Sequence, residues 1–316
     1  MSYDVYLPFV VAAVFGTVGV RLARRLRPAQ ATWLLTCGAV TTSLCSLYSL
    51  MLLAWALLAR FSVVTSVGDW SAAAFRRHDP VSLSVSIPAA GVLGFVCWST
   101  ARALVRHARM LAQVHRTCSQ LPAAIGELVV VADDRVDACA LPGRPGRILV
   151  SQRVLAALSP KQRAAVFAHE RSHLKHRHHL HQVAVALAAA AVPLLRAVPR
   201  ATSYAIERWA DDDAAATLHA PEAVAGALCQ AVAGQWAPTS APARRITALQ
   251  RPQRRGGWTT GWVIVTVSIA GFMALIVTSA EATTDAGQLA QRTHGPAARP
   301  GVHATHERVE ALLLRL

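Results

Sequence analysis

Ser159-Pro160-Lys161-Gln162-Arg163-Ala164-Ala165-Val166-Phe167-Ala168-His169-Glu170-Arg171-Ser172-His173 carries both a helix start and a pair of metal-capable side chains. Ser159 is placed as an N-cap, Pro160 suits the first helical position, and Gln162 completes a capping box. The helix so opened is expected to run through His169 to about His181. His169 and His173 are four residues apart, so they leave one helix face with Cβ atoms about 5–6 Å apart. Both imidazoles can then grip one zinc ion. Glu170 lies one position round, beside a metal rather than on it, where it can take the proton of an attacking water. A pattern of His-Glu-x-x-His arises occasionally by chance in a histidine-rich chain. Its position inside a capped helix is what marks this one as a site.

Two histidines do not close a catalytic zinc site, which has three protein ligands and a water. Glu207, in Glu207-Arg208-Trp209-Ala210-Asp211, is the best third candidate, on a second helix expected over Thr202 to Leu218. Asp211, one turn on, shares its face and suits a hydrogen bond to a ligand imidazole. The competing reading makes Glu207, Asp211, Asp212 and Asp213 a solvated acidic face, and for Asp212 and Asp213 that reading is preferred. His176 lies on nearly the face of His169 and could compete for the metal. His178, His179 and His181 fall on other faces of a continuous helix and read, with Lys175 and Arg177, as a basic surface. Tyr204 or an arginine such as Arg245 could stabilise an oxyanion, and the sequence does not choose between them. Cys139 reads as an ordinary buried cysteine.

Outside this stretch the chain is apolar and basic. Charged residues make up only 16% of 316, well below the soluble norm near a quarter, which points to a membrane. The formal charge of +15 would suggest nucleic acid, but the arginines cluster beside apolar runs, as in Arg21, Arg24, Arg25 and Arg27 or Arg102, Arg106 and Arg109. That placement fits anchoring at a cytoplasmic membrane surface, and no direct nucleic-acid partner is expected. Apolar runs at Tyr6 to Val20, Trp33 to Leu58, Val81 to Leu104 and Trp262 to Ala280 each approach or exceed the ~20 residues of a spanning helix. The first lacks a basic flank before it and is followed by arginines, so it reads as a retained anchor rather than a signal peptide.

The fold expected is a mainly α membrane protein with about four transmembrane helices and a cytosolic α+β domain. Residues 1–106 would hold three spans, 107–258 the cytosolic domain, 259–281 a fourth span and 282–316 a short external tail. The basic flanks place the site on the cytoplasmic side of a multi-pass cell-membrane protein, with both termini outside. Short β-branched runs at Leu128 to Ala132 and Arg147 to Ser151, around a Pro142 to Gly146 turn, supply the strands. His306 to Leu314 could form a short amphipathic helix. The run Val183 to Val198 must not cross the membrane, because a crossing would separate Glu207 from His169 and His173. It is either a buried or interfacial helix or a segment that dips in and returns, and its short length and alanine content favour the former. The six cysteines include no Cys-x-x-Cys pair, so no disulfide framework is expected.

The Ser159-Pro160-Lys161-Gln162-Arg163 start, the His169-Glu170-x-x-His173 pattern and Glu207-x-x-x-Asp211, with Arg245-Ile246-x-x-Leu249 further on, resemble the BlaR/MecR-type integral-membrane metallopeptidases. These are similar to the wider gluzincin group that includes HtpX and the CAAX prenyl proteases. The resemblance covers roughly Leu128 to Leu249 and implies a zincin-like domain. It implies zinc held by His169, His173 and Glu207, Glu170 as the base and Asp211 in support. It implies an endopeptidase whose partner is a protein or peptide substrate, such as a cytosolic transcriptional repressor, with lipid around the helices. The tail departs from the antibiotic sensors, since it is too short for a penicillin-binding domain, and β-lactam sensing is not expected. The rival expectation is a catalytically silent zinc-binding membrane sensor, against which the retention of Glu170 speaks. The oligomeric state is not legible.

Overall fold

The computed structural model describes residues 3–58, 82–120, 126–132, 137–143, 145–234 and 241–250. The expected fourth span, the tail and the helix at His306 to Leu314 lie outside the described residues. The chain divides into two compact units, one of Met1–Val5, Tyr48–Leu93 and Val277–Leu316, the other of Tyr6–Leu47 and Gly94–Ile276. In the first, the described parts are chiefly the later turns of one helix and the opening turns of the next. Every feature of the site belongs to the second.

Three apolar helices come first. α1 (Leu7–Ala23) opens into a π turn over Phe15–Gly19. α2 (Pro28–Leu58) and α3 (Leu83–Gln120) follow. Over Pro28–Trp55 and Leu83–Thr117 the latter two are long and apolar enough to cross a membrane, whereas α1 is shorter. So two of the expected spans pass that test among the described residues. Within the second unit α3 leaves Phe95, Trp98, Leu104 and Val105 exposed. Apolar side chains of that size need cover of some kind.

Three short strands follow: β1 (Leu128–Val131), β2 (Ala138–Leu141) and β3 (Arg147–Ser151). β3 lies between the others, parallel to β1 with Leu128 opposite Ile148, and antiparallel to β2 with Ala138 opposite Val150. Its Ile148, Leu149 and Val150 are buried, as a central strand requires. β2 is an edge strand that the sequence reading had not anticipated, since Ala-Cys-Ala-Leu lacks the usual β-branched enrichment. Ser151 ends β3 and caps α4 (Gln152–Ala157) by accepting the Val154 N–H at 3.2 Å.

α5 (Pro160–Lys175) begins with the expected capping box: Ser159 Oγ accepts the Gln162 N–H, and Gln162 Oε1 accepts the Ser159 N–H. It does not continue to His181. His176 and Arg177 form a turn, with Arg177 in the left-handed region at φ 50°, and α6 (His178–Ala191) starts afresh. Two side-chain bonds hold the break, because Ser172 Oγ donates to Asp213 at 3.0 Å and His176 Nε2 lies 2.8 Å from the same carboxylate. The redirected α6 buries His178, His181, Val185, Ala188 and Ala191 along one stripe. His178 and His181 are therefore interior rather than part of a basic surface. His181 Nδ1 meets Thr36 Oγ1 of α2 at 3.1 Å.

The run from Val183 to Val198 is not one helix. Val192, preceding Pro193, is extended, and a 3-10 turn (Pro193–Leu195) leads into α7 (Val198–Leu218). Leu195 and Val198 are fully buried. α1 crosses this turn closely: a Cβ on Gly16 would fall 2.3 Å from the Leu194 carbonyl oxygen, so only glycine fits there. The segment thus turns and brings α7 back against α5 and α6. α8 (Pro221–Ala233) and α9 (Pro242–Gln250) complete the fold, α8 burying Ala223, Val224 and Ala227 against Ala165 and Ala168 of α5.

Candidate metal centre

Small side chains decide how closely α5 and α7 approach. Ala165, Ala168 and Ser172 on α5 and Ala210 and Ala214 on α7 are buried, and helices meeting through alanine and serine can pack near the short end of the usual interaxial range. Side chains projecting from both helices then meet in one place. His169 Nε2 and His173 Nε2 lie 3.1 Å apart. Glu207 Oε2 is 3.6 Å from the first, and Glu207 Oε1 is 3.8 Å from the second. One ligand atom from each of the three falls within 4.8 Å of the others. Tetrahedral zinc with bonds of about 2.0–2.1 Å separates neighbouring ligand atoms by roughly 3.3–3.4 Å. The histidine pair is close to that spacing, and the two Glu207 oxygens approach one imidazole each from slightly further out.

The electrostatics suit a cation. Burial alone would lower the pKa of His169, but hydrogen bonds to Asp211 and Glu207 override it and push it up to about 10. Burial would likewise raise both carboxylates. Glu207 is instead brought down to about 2 by His169 and Arg245, and Asp211 to about 2 by Arg245 and His169. His173 goes the other way, down to about 4, through burial and the neighbouring charge of His169. Positive charge is thus drawn to the point where the three donors meet. Nitrogen and carboxylate donors in this number are what zinc prefers.

Glu170 stands apart from the triangle but lines the same cleft of about 450 Å³, with His169, His173, Glu207, Asp211 and Ala140. Burial is the largest cause raising its carboxyl to about 7, with Glu207 adding to it, while His169, the Ala140 backbone and Arg245 act against it. Such a group holds or releases a proton near neutrality.

Asp211 is fully buried and reaches His169 Nδ1 through Oδ1 at 3.0 Å. That contact accepts the His169 Nδ1–H and leaves Nε2 facing the triangle, where a metal would take the place of its second proton. Arg245 of α9 is 1% exposed and grips Asp211 from behind, donating from Nε and Nη2 to its two oxygens at 2.7 and 2.6 Å. Its Nη1 donates to Glu207 Oε2 at 2.8 Å. All three guanidinium nitrogens thereby donate to carboxylates, which fixes the group against Asp211 and Glu207 at the edge of the cleft. Tyr204 faces Arg244, whose guanidinium sits 5.6 Å from the ring centroid, and does not line the cleft.

The remaining candidates sort as follows. His176 binds Asp213 and is turned away from the triangle. Asp213 is not a solvated acid: it accepts from Ser172 and His176, with Lys175 at 3.9 Å. Asp212 pairs with Arg208 at 3.7 Å. His178, which sequence periodicity assigns to an outer face, lines the same cleft, with its Nδ1 3.0 Å from His173 Nδ1. Burial and its histidine neighbours lower its pKa to about 3. No local signal reveals it, because the break at Arg177 falls on a residue that does not announce a left-handed turn.

A family model described as peptidase family M48 matches residues 101–306, more than half of the chain. No curated protein matches it, and no solved structure does.

Proposed function

The chain belongs to peptidase family M48 and is therefore a metallopeptidase, and on that premise we propose that it is a membrane-embedded zinc endopeptidase acting on the cytosolic side. The observation that carries the reading is the meeting of His169, His173 and Glu207 donor atoms from two helices, with Glu170 beside them in one cleft. His169, His173 and Glu207 would hold the zinc. Bound there, the ion supplies Lewis-acid polarisation of the scissile carbonyl and a lowered pKa for the attacking water. Glu170 takes the proton of that water and delivers it to the leaving amine. Asp211 holds the His169 tautomer, and Arg245 holds Asp211 and Glu207 in place. Among the described residues β2 pairs with β3 alone, and it contributes Ala138, Cys139 and Ala140 to the cleft.

Glu170→Gln separates metal binding from chemistry. The variant should keep about one zinc per chain and lose roughly 10²–10⁴ in turnover of a peptide substrate. Cleavage at the parent's rate would remove the peptidase reading. Loss of activity in the parent itself, with zinc bound, would favour a silent zinc-binding sensor.

Membrane embedding is proposed from α1, α2 and α3 and from the apolar run at residues 262–280. Support comes from the exposed Phe95, Trp98, Leu104 and Val105 of α3, followed by Arg106 and Arg109. The arginine-rich flanks assign the site to the cytoplasmic face and both termini to the outside. A reporter fused near Gly256 should behave as cytosolic and one at the C-terminus as external, and the reverse pattern would overturn this orientation. The substrate proposed is a cytosolic protein, a transcriptional repressor being the case suggested by the resemblance.

A further inference from the structure

The two histidines of the triangle are held by different chemistry. His169 has a carboxylate behind it. His173 has another imidazole, with the Nδ1 atoms of His173 and His178 3.0 Å apart. For His173 to offer its Nε2 lone pair toward Glu207, its proton must sit on Nδ1. A proton on Nδ1 needs an acceptor, and His178 Nδ1 is the atom in reach. The His178 proton then belongs on Nε2, which is buried and has no hydrogen-bond partner among the described residues. The opposite assignment, with His178 Nδ1 donating, would put the His173 proton on Nε2, aimed at the converging donors. Only the first assignment leaves the triangle able to take a cation.

The surroundings keep this second imidazole where it is. His178 is 1% exposed. Trp209 of α7 packs on its ring at 4.9 Å between centroids, and His176 stacks on it at 5.7 Å. The ring of His173 meets it edge-on at 4.9 Å. The turn at His176 and Arg177 is what aims it. On a helix continued from α5, residue 178 would stand about 140° round from residue 173 and could not face it.

We propose that His178 is a positioning residue for the metal centre, its Nδ1 accepting the His173 Nδ1–H and so fixing the orientation and tautomer of that ligand. The inference rests on His173 being a ligand, as proposed above. Partners of this kind contribute 10–100-fold to metal affinity when removed.

The test compares two substitutions in the full-length purified chain, with zinc affinity measured by competition against a chromophoric chelator. His178→Phe keeps a flat ring against Trp209 and removes the acceptor. His178→Asn loses bulk but offers Oδ1 near the place of Nδ1. The Phe variant should bind zinc 10–100-fold more weakly, and the Asn variant should stay within about threefold of the parent. Packing alone would give the reverse order, with Asn the worse, and would overturn the proposal. Equal affinity of the Phe variant and the parent would overturn it as well. If the parent takes up no zinc, the reading of the whole site fails instead, so the two failures are distinguishable. A cobalt-substituted set gives a second readout: the visible bands should be retained in Asn and altered in Phe.

Discussion

His169 and His173 leave the same helix one turn apart, yet the regions behind them are unlike. Behind His169, α7 and α9 bring a charged assembly, Asp211 with Arg245 across it and Glu207 alongside. Behind His173, α6 brings a neutral one, His178 packed on Trp209. A carboxylate is the stronger acceptor, since hydrogen bonds to ionised groups are roughly twice as strong as neutral ones. Its burial costs several kcal/mol, however, and is offset only while its cation stays in place. The neutral imidazole is cheaper to bury and holds its ligand less firmly. The charged side should therefore dominate folding stability, and the neutral side should show itself mainly in metal affinity.

Breaking the charged side should have the largest effect. Arg245→Leu leaves two buried carboxylates without their cation, for which about 3–5 kcal/mol of stability is expected to be lost. Urea unfolding with a chelator present measures it. Arg245→Lys should recover only part of the loss, since an ammonium cannot span Asp211 and Glu207 as the planar fork does. Unfolding of Arg245→Leu within about 1 kcal/mol of the parent would remove the contrast between the two sides. By the same contrast, His178→Phe should disturb unfolding less than Arg245→Leu.

The smallest effect belongs to the turn that makes the neutral side possible. Arg177 occupies a left-handed conformation that costs a residue with a Cβ about 1–2 kcal/mol and glycine little. Arg177→Gly should raise stability by up to about 1 kcal/mol, after allowance for the greater chain entropy of glycine. A thermal midpoint that falls instead would mean that the Arg177 side chain contributes more than its backbone costs.

The same contrast separates what was legible in the sequence from what was not. The start of α5 was readable to the residue because Ser159, Pro160 and Gln162 act within one turn. That His169 and His173 share a face, and Glu207 and Asp211 another, followed from helical spacing; which of the two carboxylates binds the metal came from the family resemblance. Bringing Glu207 to the histidines required the 183–198 segment to turn back at Pro193, where short length and alanine content favour a buried or interfacial helix. The end of α5 was missed because Arg177 is not a residue that signals a left-handed turn, as glycine would have been. That single error displaced His178 and His181 to the surface. Asp213 was misread for a related reason, as its partners Ser172 and His176 sit on the other helix. Arg245 was noticed, but its role could not be read, since three hydrogen bonds across α7 and α9 are a property of the packing. β2 escaped notice because alanine and cysteine carry little strand preference.

Zinc content of Glu207→Ala tests the central claim most directly. The account holds that the ion is gripped from two helices at once, with Glu207 bringing the only ligand from α7. The purified parent should carry about one zinc per chain, and Glu207→Ala should emerge without it while Asp211 remains in place. Retention of a full equivalent by Glu207→Ala, with the loss appearing in Asp211→Asn instead, would contradict the account and hand the third position to Asp211.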